Sequence, residues 1–217
     1  MGLVLGDMHK LEREERVCAL ANWTAVSKLP KLLLVTSAGV ARPYPTNVLA
    51  SSIQAPIPFK FDHPLDGIVL AALGVSGHEE LVLTTRTGKG VRWPVKALRT
   101  SGTQAINLHN EDRVTGAVLA DKEAVLFLLT ADGYGRKLAA ELVFMPEKPN
   151  QKGKSLLARR SAVVGTAVCT PDSALYALTP SHWLPVNPTE LPLETSTKSQ
   201  QVLKLEDGVL VTGLLAV

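Results

Sequence analysis

Four apolar runs in this chain of 217 residues each stop at a threonine, and these threonines, at positions 36, 85, 130 and 179, stand 49, 45 and 49 residues apart. Three of the stops continue Thr-x-x-Gly and then turn basic: Thr36-Ser37-Ala38-Gly39 with Arg42, Thr85-Arg86-Thr87-Gly88-Lys89 with Arg92, and Thr130-Ala131-Asp132-Gly133-Tyr134-Gly135-Arg136-Lys137. The fourth, Thr179-Pro180-Ser181-His182, carries histidine where the others carry glycine. A second landmark keeps the same period. It is Val-Thr-Gly-Ala-Val at 114–118, Val-Val-Gly-Thr-Ala at 163–167 and Val-Thr-Gly-Leu-Leu at 211–215, with Leu65-Asp66-Gly67-Ile68-Val69 as a fourth copy and Val17-Cys18-Ala19-Leu20 as a fifth. From Ala19 through Gly67, Gly116, Gly165 and Gly213 the steps are 48, 49, 49 and 48. Such a chain must build an array of repeated units that bury their apolar faces against one another.

Each unit reads as β. Leu81-Val82-Leu83-Thr84-Thr85 and Ala124-Val125-Leu126-Phe127-Leu128-Leu129 are apolar runs of strand length. Asp132-Gly133 predicts a two-residue hairpin with both central residues at positive φ. Prolines at 94, 146, 149, 180, 185, 188 and 192 oppose long helices. Asp7–Arg16 is compatible with one or two helical turns, but strand then turn is preferred, because Glu14-Glu15-Arg16-Val17 matches Glu111-Asp112-Arg113-Val114. The plan is one domain over 1–217: a half repeat, 1–25, then repeats 26–74, 75–120, 121–169 and 170–217. About four strands in roughly 48 residues is the size of a propeller blade.

The remaining sequence excludes several functions. No apolar run reaches the roughly 18 residues of a membrane span, and the charged stretch Lys10–Arg16 is unlike a signal peptide. Cys18 and Cys169 read as two buried, reduced thiols of a cytoplasmic protein. Gly153-Lys154-Ser155 lacks the earlier glycine of a phosphate-binding loop, and Gly88-Lys89-Gly90 and Gly133-Tyr134-Gly135 lack the third glycine of a dinucleotide fingerprint. The five histidines show no metal-ligand spacing. No catalysis, cofactor, metal or small-molecule substrate is expected.

Charge points to a partner. Between Thr85 and Arg160 there are fourteen basic and seven acidic residues, although the whole chain carries only +3. The basic residues recur just past the Thr-x-x-Gly turn and again in the glycine-bearing loop that follows. In a radial repeat such positions lie side by side, forming an arc that can follow a phosphate backbone without reading bases.

The stretches Leu83–Arg92, Arg99–Ile106, Glu111–Leu119 and Thr130–Lys137 resemble repeats of the C-terminal domain of the A subunit of bacterial type IIA topoisomerases, DNA gyrase and topoisomerase IV. That resemblance implies an all-β fold, a propeller-like β-pinwheel whose basic perimeter binds and bends duplex DNA for the catalytic part of the enzyme. It implies DNA contacts at Arg42, Lys89, Arg92, Lys96, Arg99, Arg136, Lys137, Lys152, Lys154, Arg159 and Arg160, with Arg92, Arg136 and Lys137 aimed outward. The Gln-Arg-Arg-Gly-Gly-Lys-Gly box of gyrase has no copy here, which favours a role like that of topoisomerase IV. The DNA-cleaving tyrosine domain is absent, so the chain is expected to be an accessory domain in the bacterial cytoplasm, at the nucleoid. The DNA path is expected to end before the last blade. Blade number is four or five, with a five-blade plan begun mid-repeat preferred. The competing reading is a propeller-like scaffold that binds protein and no longer touches DNA.

Overall fold

A computed structural model describes residues 18, 19, 21–54, 66–158, 161–170 and 172–217, with backbone alone at 51–54. The expected strand and turn over Asp7–Arg16 lie outside these residues. The described residues form four sheets arranged as a four-bladed ring, so the five-blade preference is corrected.

Blade 1 contains the hairpin β1 (Lys31–Thr36) and β2 (Val40–Pro45), then β3 (Val69–Val75). Blade 2 has β4 (Glu80–Thr85), β5 (Lys89–Pro94) and, after the two-residue β6 (Thr103–Gln104), β7 (Val114–Ala120). Blade 3 has β8 (Val125–Thr130), β9 (Tyr134–Ala139) and, after β10 (Lys154–Ser155), β11 (Val163–Cys169). Blade 4 has β12 (Leu175–Leu178), β13 (Trp183–Val186) and, after β14 (Gln200–Gln201), β15 (Gly213–Ala216). The two-residue strands cross over: sheet orders are β3-β1-β2-β6, β7-β4-β5-β10, β11-β8-β9-β14 and β15-β12-β13, so the next repeat supplies the outer strand of each of the first three blades. Two helices, Trp23–Val26 and Thr46–Gln54, accompany blade 1.

The apolar core lies between blades, which explains why the middle strands are continuously hydrophobic. On β8, Leu126 and Leu128 face blade 2 and pack with Val82, while Phe127 and Leu129 face blade 4 and pack with Leu175 and Ala177. A strand buried on both faces needs no polar alternation. These four β8 side chains have no exposed surface, and each contributes about 1.5–3 kcal/mol by leaving water.

The glycine landmark marks the ring axis. The innermost strands β3, β7, β11 and β15 pack on their neighbours there. A Cβ on Gly116 would lie 2.4 Å from Thr84 Oγ1 and 2.7 Å from Thr166 Oγ1, and one on Gly165 would lie 2.6 Å from Leu214 Cβ. Register corrects one assignment. Thr84 pairs with Gly116, Leu129 with Gly165 and Leu178 with Gly213, but Val35 pairs with Ala71. Ala71 is therefore the blade 1 counterpart, and Gly67 is a turn residue with φ of +82°.

Candidate nucleic-acid interface

The rim begins with the threonine turn. In the first three blades the glycine N–H donates to the threonine carbonyl at 2.9–3.0 Å (Gly39 to Thr36, Gly88 to Thr85, Gly133 to Thr130). The next residue's N–H donates to the threonine hydroxyl: Val40 to Thr36 Oγ1 and Lys89 to Thr85 Oγ1 at 3.3 Å, Tyr134 to Thr130 Oγ1 at 3.1 Å. All three threonines are fully buried, so the side chain supplies an acceptor that water cannot. Only the glycine takes positive φ, +77° to +83°, which makes this a three-residue loop ending in a left-handed glycine rather than the expected two-residue turn. The fourth hairpin is one residue shorter. Thr179 and His182 bond directly, N–H to carbonyl at 2.9 Å, and no glycine is needed.

The turn glycine then fixes the outer strand. Its carbonyl accepts from Ala105 in blade 1, Leu156 in blade 2 and Val202 in blade 3. Outer segments also bond to one another: Asn107 N–H donates to the Gln151 carbonyl, and Ala158 N–H to the Thr197 carbonyl, both at 2.9 Å. Register makes Ala105, Leu156 and Val202 equivalent, and with them Asn107 and Ala158, and Gln151 and Thr197. The stretches 100–107, 150–158 and 197–203 form one backbone-linked belt around three blades.

Four expected contact residues are exposed on or beside this belt: Lys96, Arg99, Lys152 and Lys154. Lys96 sits in the 3₁₀ turn Val95–Ala97. Arg99 opens the loop to β6, its N–H bonded to Thr103 Oγ1 at 2.9 Å. Lys154 pairs with Gly90 across β10 and β5, diagonal to the half-buried Lys89, and its ammonium lies 4.5 Å over the Phe144 ring. Gly153 is required by the crowding beside it, since a Cβ would approach the Gly90 carbonyl to 3.0 Å. Arg159 and Arg160 lie outside the described residues.

Three expected contacts turn inward, which corrects the outward assignment of Arg92 and Arg136. Arg42, Arg92 and Arg136 are 6%, 7% and 3% exposed. Arg42 Nε donates to the Thr100 carbonyl at 2.8 Å, and its guanidinium stacks 4.5 Å from the Tyr44 ring. Arg136 donates to the Leu156 and Glu194 carbonyls. Burial pushes the Arg136 pKa down, and the nearby Glu194 charge opposes that shift. Arg92 pairs with Glu80, Nη1 to Oε2 at 2.7 Å. The physical reason is that each buried guanidinium finds acceptors for its donors, backbone carbonyls at Arg42 and Arg136 and the Glu80 carboxylate at Arg92. Lys137 is half-buried rather than outward, with Nζ donating to the Pro188 carbonyl at 3.1 Å beside a groove of about 630 Å³ between blades 3 and 4.

Cys169 is half-buried and burial raises its pKa, but Cys18 is exposed, against the expectation of two buried thiols. Among the described residues, no group of three or more His, Cys, Asp or Glu side chains could hold a metal ion. The central space, about 270 Å³, is lined by residues of all four inner strands, such as Ala71, Gly116, Gly165 and Leu214. Among the described residues, no helix is long and apolar enough to cross a membrane.

The class this architecture defines is the β-pinwheel: an all-β, propeller-like ring in which the first three blades borrow their outer strands from the next repeat. No protein-family model matches the chain. Among characterised proteins it is similar to the DNA gyrase A protein, 25% identical to that of Kosmotoga olearia over the whole chain and 28% of the relative, and 27% identical to that of Mycobacterium leprae over 82% of the chain and 15% of the relative. The chain thus spans less than a third of these proteins. In fold it matches a solved DNA gyrase A C-terminal domain (TM-score 0.81, 15% identity, 98% of this chain and 74% of that one). It also matches a C-terminal domain of DNA topoisomerase IV (TM-score 0.79, 16% identity, 100% and 70%). The solved structures of similar fold are C-terminal domains of these proteins.

Proposed function

We propose that this chain binds duplex DNA along the belt and bends it, without reading base sequence, for the A subunit of a bacterial type IIA topoisomerase. The observation that carries this reading is the exposure of Lys96, Arg99, Lys152 and Lys154 on a perimeter of exposed backbone loops. Such residues neutralise phosphates and carry no base information. Arg42 and Arg136 serve the interface from beneath. Arg42 holds the carbonyl next to Arg99, and Arg136 holds that of Leu156, two residues past Lys154. They are positioning residues, and the contact set is the exposed lysines and arginine with the half-buried Lys89. The site of action is the cytoplasm, at the nucleoid. Without a gyrase-type box, the DNA is presented as a bent segment rather than fully wrapped, the mode closer to topoisomerase IV.

Equilibrium binding to random-sequence duplex tests this. Log Kobs should fall linearly with log salt, with about 0.9 of slope per neutralised phosphate. Replacing Lys96, Arg99, Lys152 and Lys154 by alanine should remove roughly 3–4 of that slope. A flat salt response overturns the reading. A stable protein partner that survives nuclease treatment, with no DNA binding, would replace it with the scaffold reading.

A further inference from the structure

The belt carries a basic position that the turn motif does not reveal. Where Gln151 accepts the bond from Asn107, the next residue is Lys152; where Thr197 accepts the equivalent bond from Ala158, the next residue is Lys198. The corresponding residue in blade 1 is Ser101, after Thr100. β10 and β14 meet their blades in the same register, Lys154 with Gly90 and Gln200 with Gly135, so Lys152 and Lys198 both stand two residues before the outer strand. Both are exposed, and Lys204, just past β14, is exposed as well. Lys198 has no sequence signature because Ser199 replaces the glycine of Gly102 and Gly153.

We propose that Lys198 is a phosphate contact for duplex DNA, at the blade 3 position that Lys152 occupies in blade 2. This rests on the DNA-binding reading above and extends the path one blade further, from Arg99 on the edge of blade 1 through Lys152 and Lys154 to the edge of blade 3. The Ala158-to-Thr197 bond joins the two basic segments directly, so a strand backbone following the belt passes from one to the other. The path expected from sequence ends before the last blade; Lys198 stays within that limit although it lies in repeat four, because β14 belongs to blade 3.

The experiment measures the salt dependence of duplex binding, by fluorescence anisotropy, for wild type, Lys152→Ala, Lys198→Ala, Lys198→Arg and Lys122→Ala. Lys122, in the turn between β7 and β8, is an exposed lysine away from the hairpin end of its blade. Lys152→Ala and Lys198→Ala should each lower the log–log slope by about 0.9. Lys198→Arg and Lys122→Ala should keep the wild-type slope. Wild-type binding with an unchanged slope for Lys198→Ala overturns this contact and leaves the broader reading standing. Absence of salt-dependent binding by wild type overturns both.

Discussion

Substituting alanine for Gly116 tests whether close packing at the ring axis explains the glycine landmark. The added methyl would sit 2.4 Å from Thr84 Oγ1 and 2.7 Å from Thr166 Oγ1. Those hydroxyls share a 2.6 Å hydrogen bond that joins blades 2 and 3, and Thr84 is fully buried. Neither side chain has a long flexible end to move aside. Overpacking costs about 1–3 kcal/mol and loss of the bond about 1 more, so we expect about 3 kcal/mol in all. For a chain of this length that lowers Tm by roughly 6–12 °C. Gly213→Ala is the internal control, because its nearest foreign atom would be Leu178 Cδ1 at 3.4 Å, an ordinary contact. It should stay within about 1 kcal/mol of wild type. Differential scanning calorimetry and urea unfolding measure both. Shortening Thr166 to alanine in the Gly116→Ala background should recover stability relative to additivity, since it removes one obstructing side chain. Equal losses for Gly116→Ala and Gly213→Ala, or none for either, would refute axis crowding as the cause.

Other outcomes follow from the same geometry. Arg92→Ala strands Glu80 in a largely buried site and should cost about 3–5 kcal/mol in urea unfolding, while the salt slope of DNA binding stays unchanged. Thr130→Val keeps the shape of the side chain but removes the acceptor for Tyr134 N–H, and should cost about 1–3 kcal/mol by the same assay. The Glu79 carboxyl loses hydration on burial, yet bonds from the Ser76 hydroxyl and from backbone N–H groups of Ser76 and Gly77 outweigh that and hold its pKa down from 4.5 to about 2. A depressed folded-state pKa stabilises above the unfolded value. The advantage of wild type over Glu79→Gln should therefore be full above pH 4.5 and disappear as pH falls towards 2, in acid titrations followed by circular dichroism.

The repeat was legible because its chemistry is local. A buried threonine hydroxyl answering an N–H four residues later, and a glycine at positive φ three residues later, leave a fixed spacing in the sequence. The direction of the arginines was not legible. Arg42 and Arg136 pair with Leu34 and Leu128 at equivalent positions, whereas the residue equivalent to them in blade 2 is Val91, and Arg92 stands beside it in the register held by Pro43 and Lys137. One step along a strand reverses the face, and composition past the turn does not record that step. Gly67 misled for a similar reason, since a turn glycine can mimic an axis glycine four residues early. The outer strands were invisible because each has only two residues and its partners lie in the preceding repeat. Lys198 went unnoticed with them.

The exchange of outer strands has a consequence for how the molecule can be cut. Val40 pairs with Gln104, Gly90 with Lys154 and Gly135 with Gln200, so the edge of each of these blades is closed by residues more than sixty positions downstream. Repeat boundaries are then poor places to truncate. Ending the chain at Cys169 would remove blade 4 and also uncover the Tyr134–Gly135 edge of blade 3, exposing backbone donors and acceptors that invite pairing between molecules. The workable unit for dissection or grafting is a hairpin together with the next repeat's belt segment, and the boundaries of that unit overlap those of its neighbours.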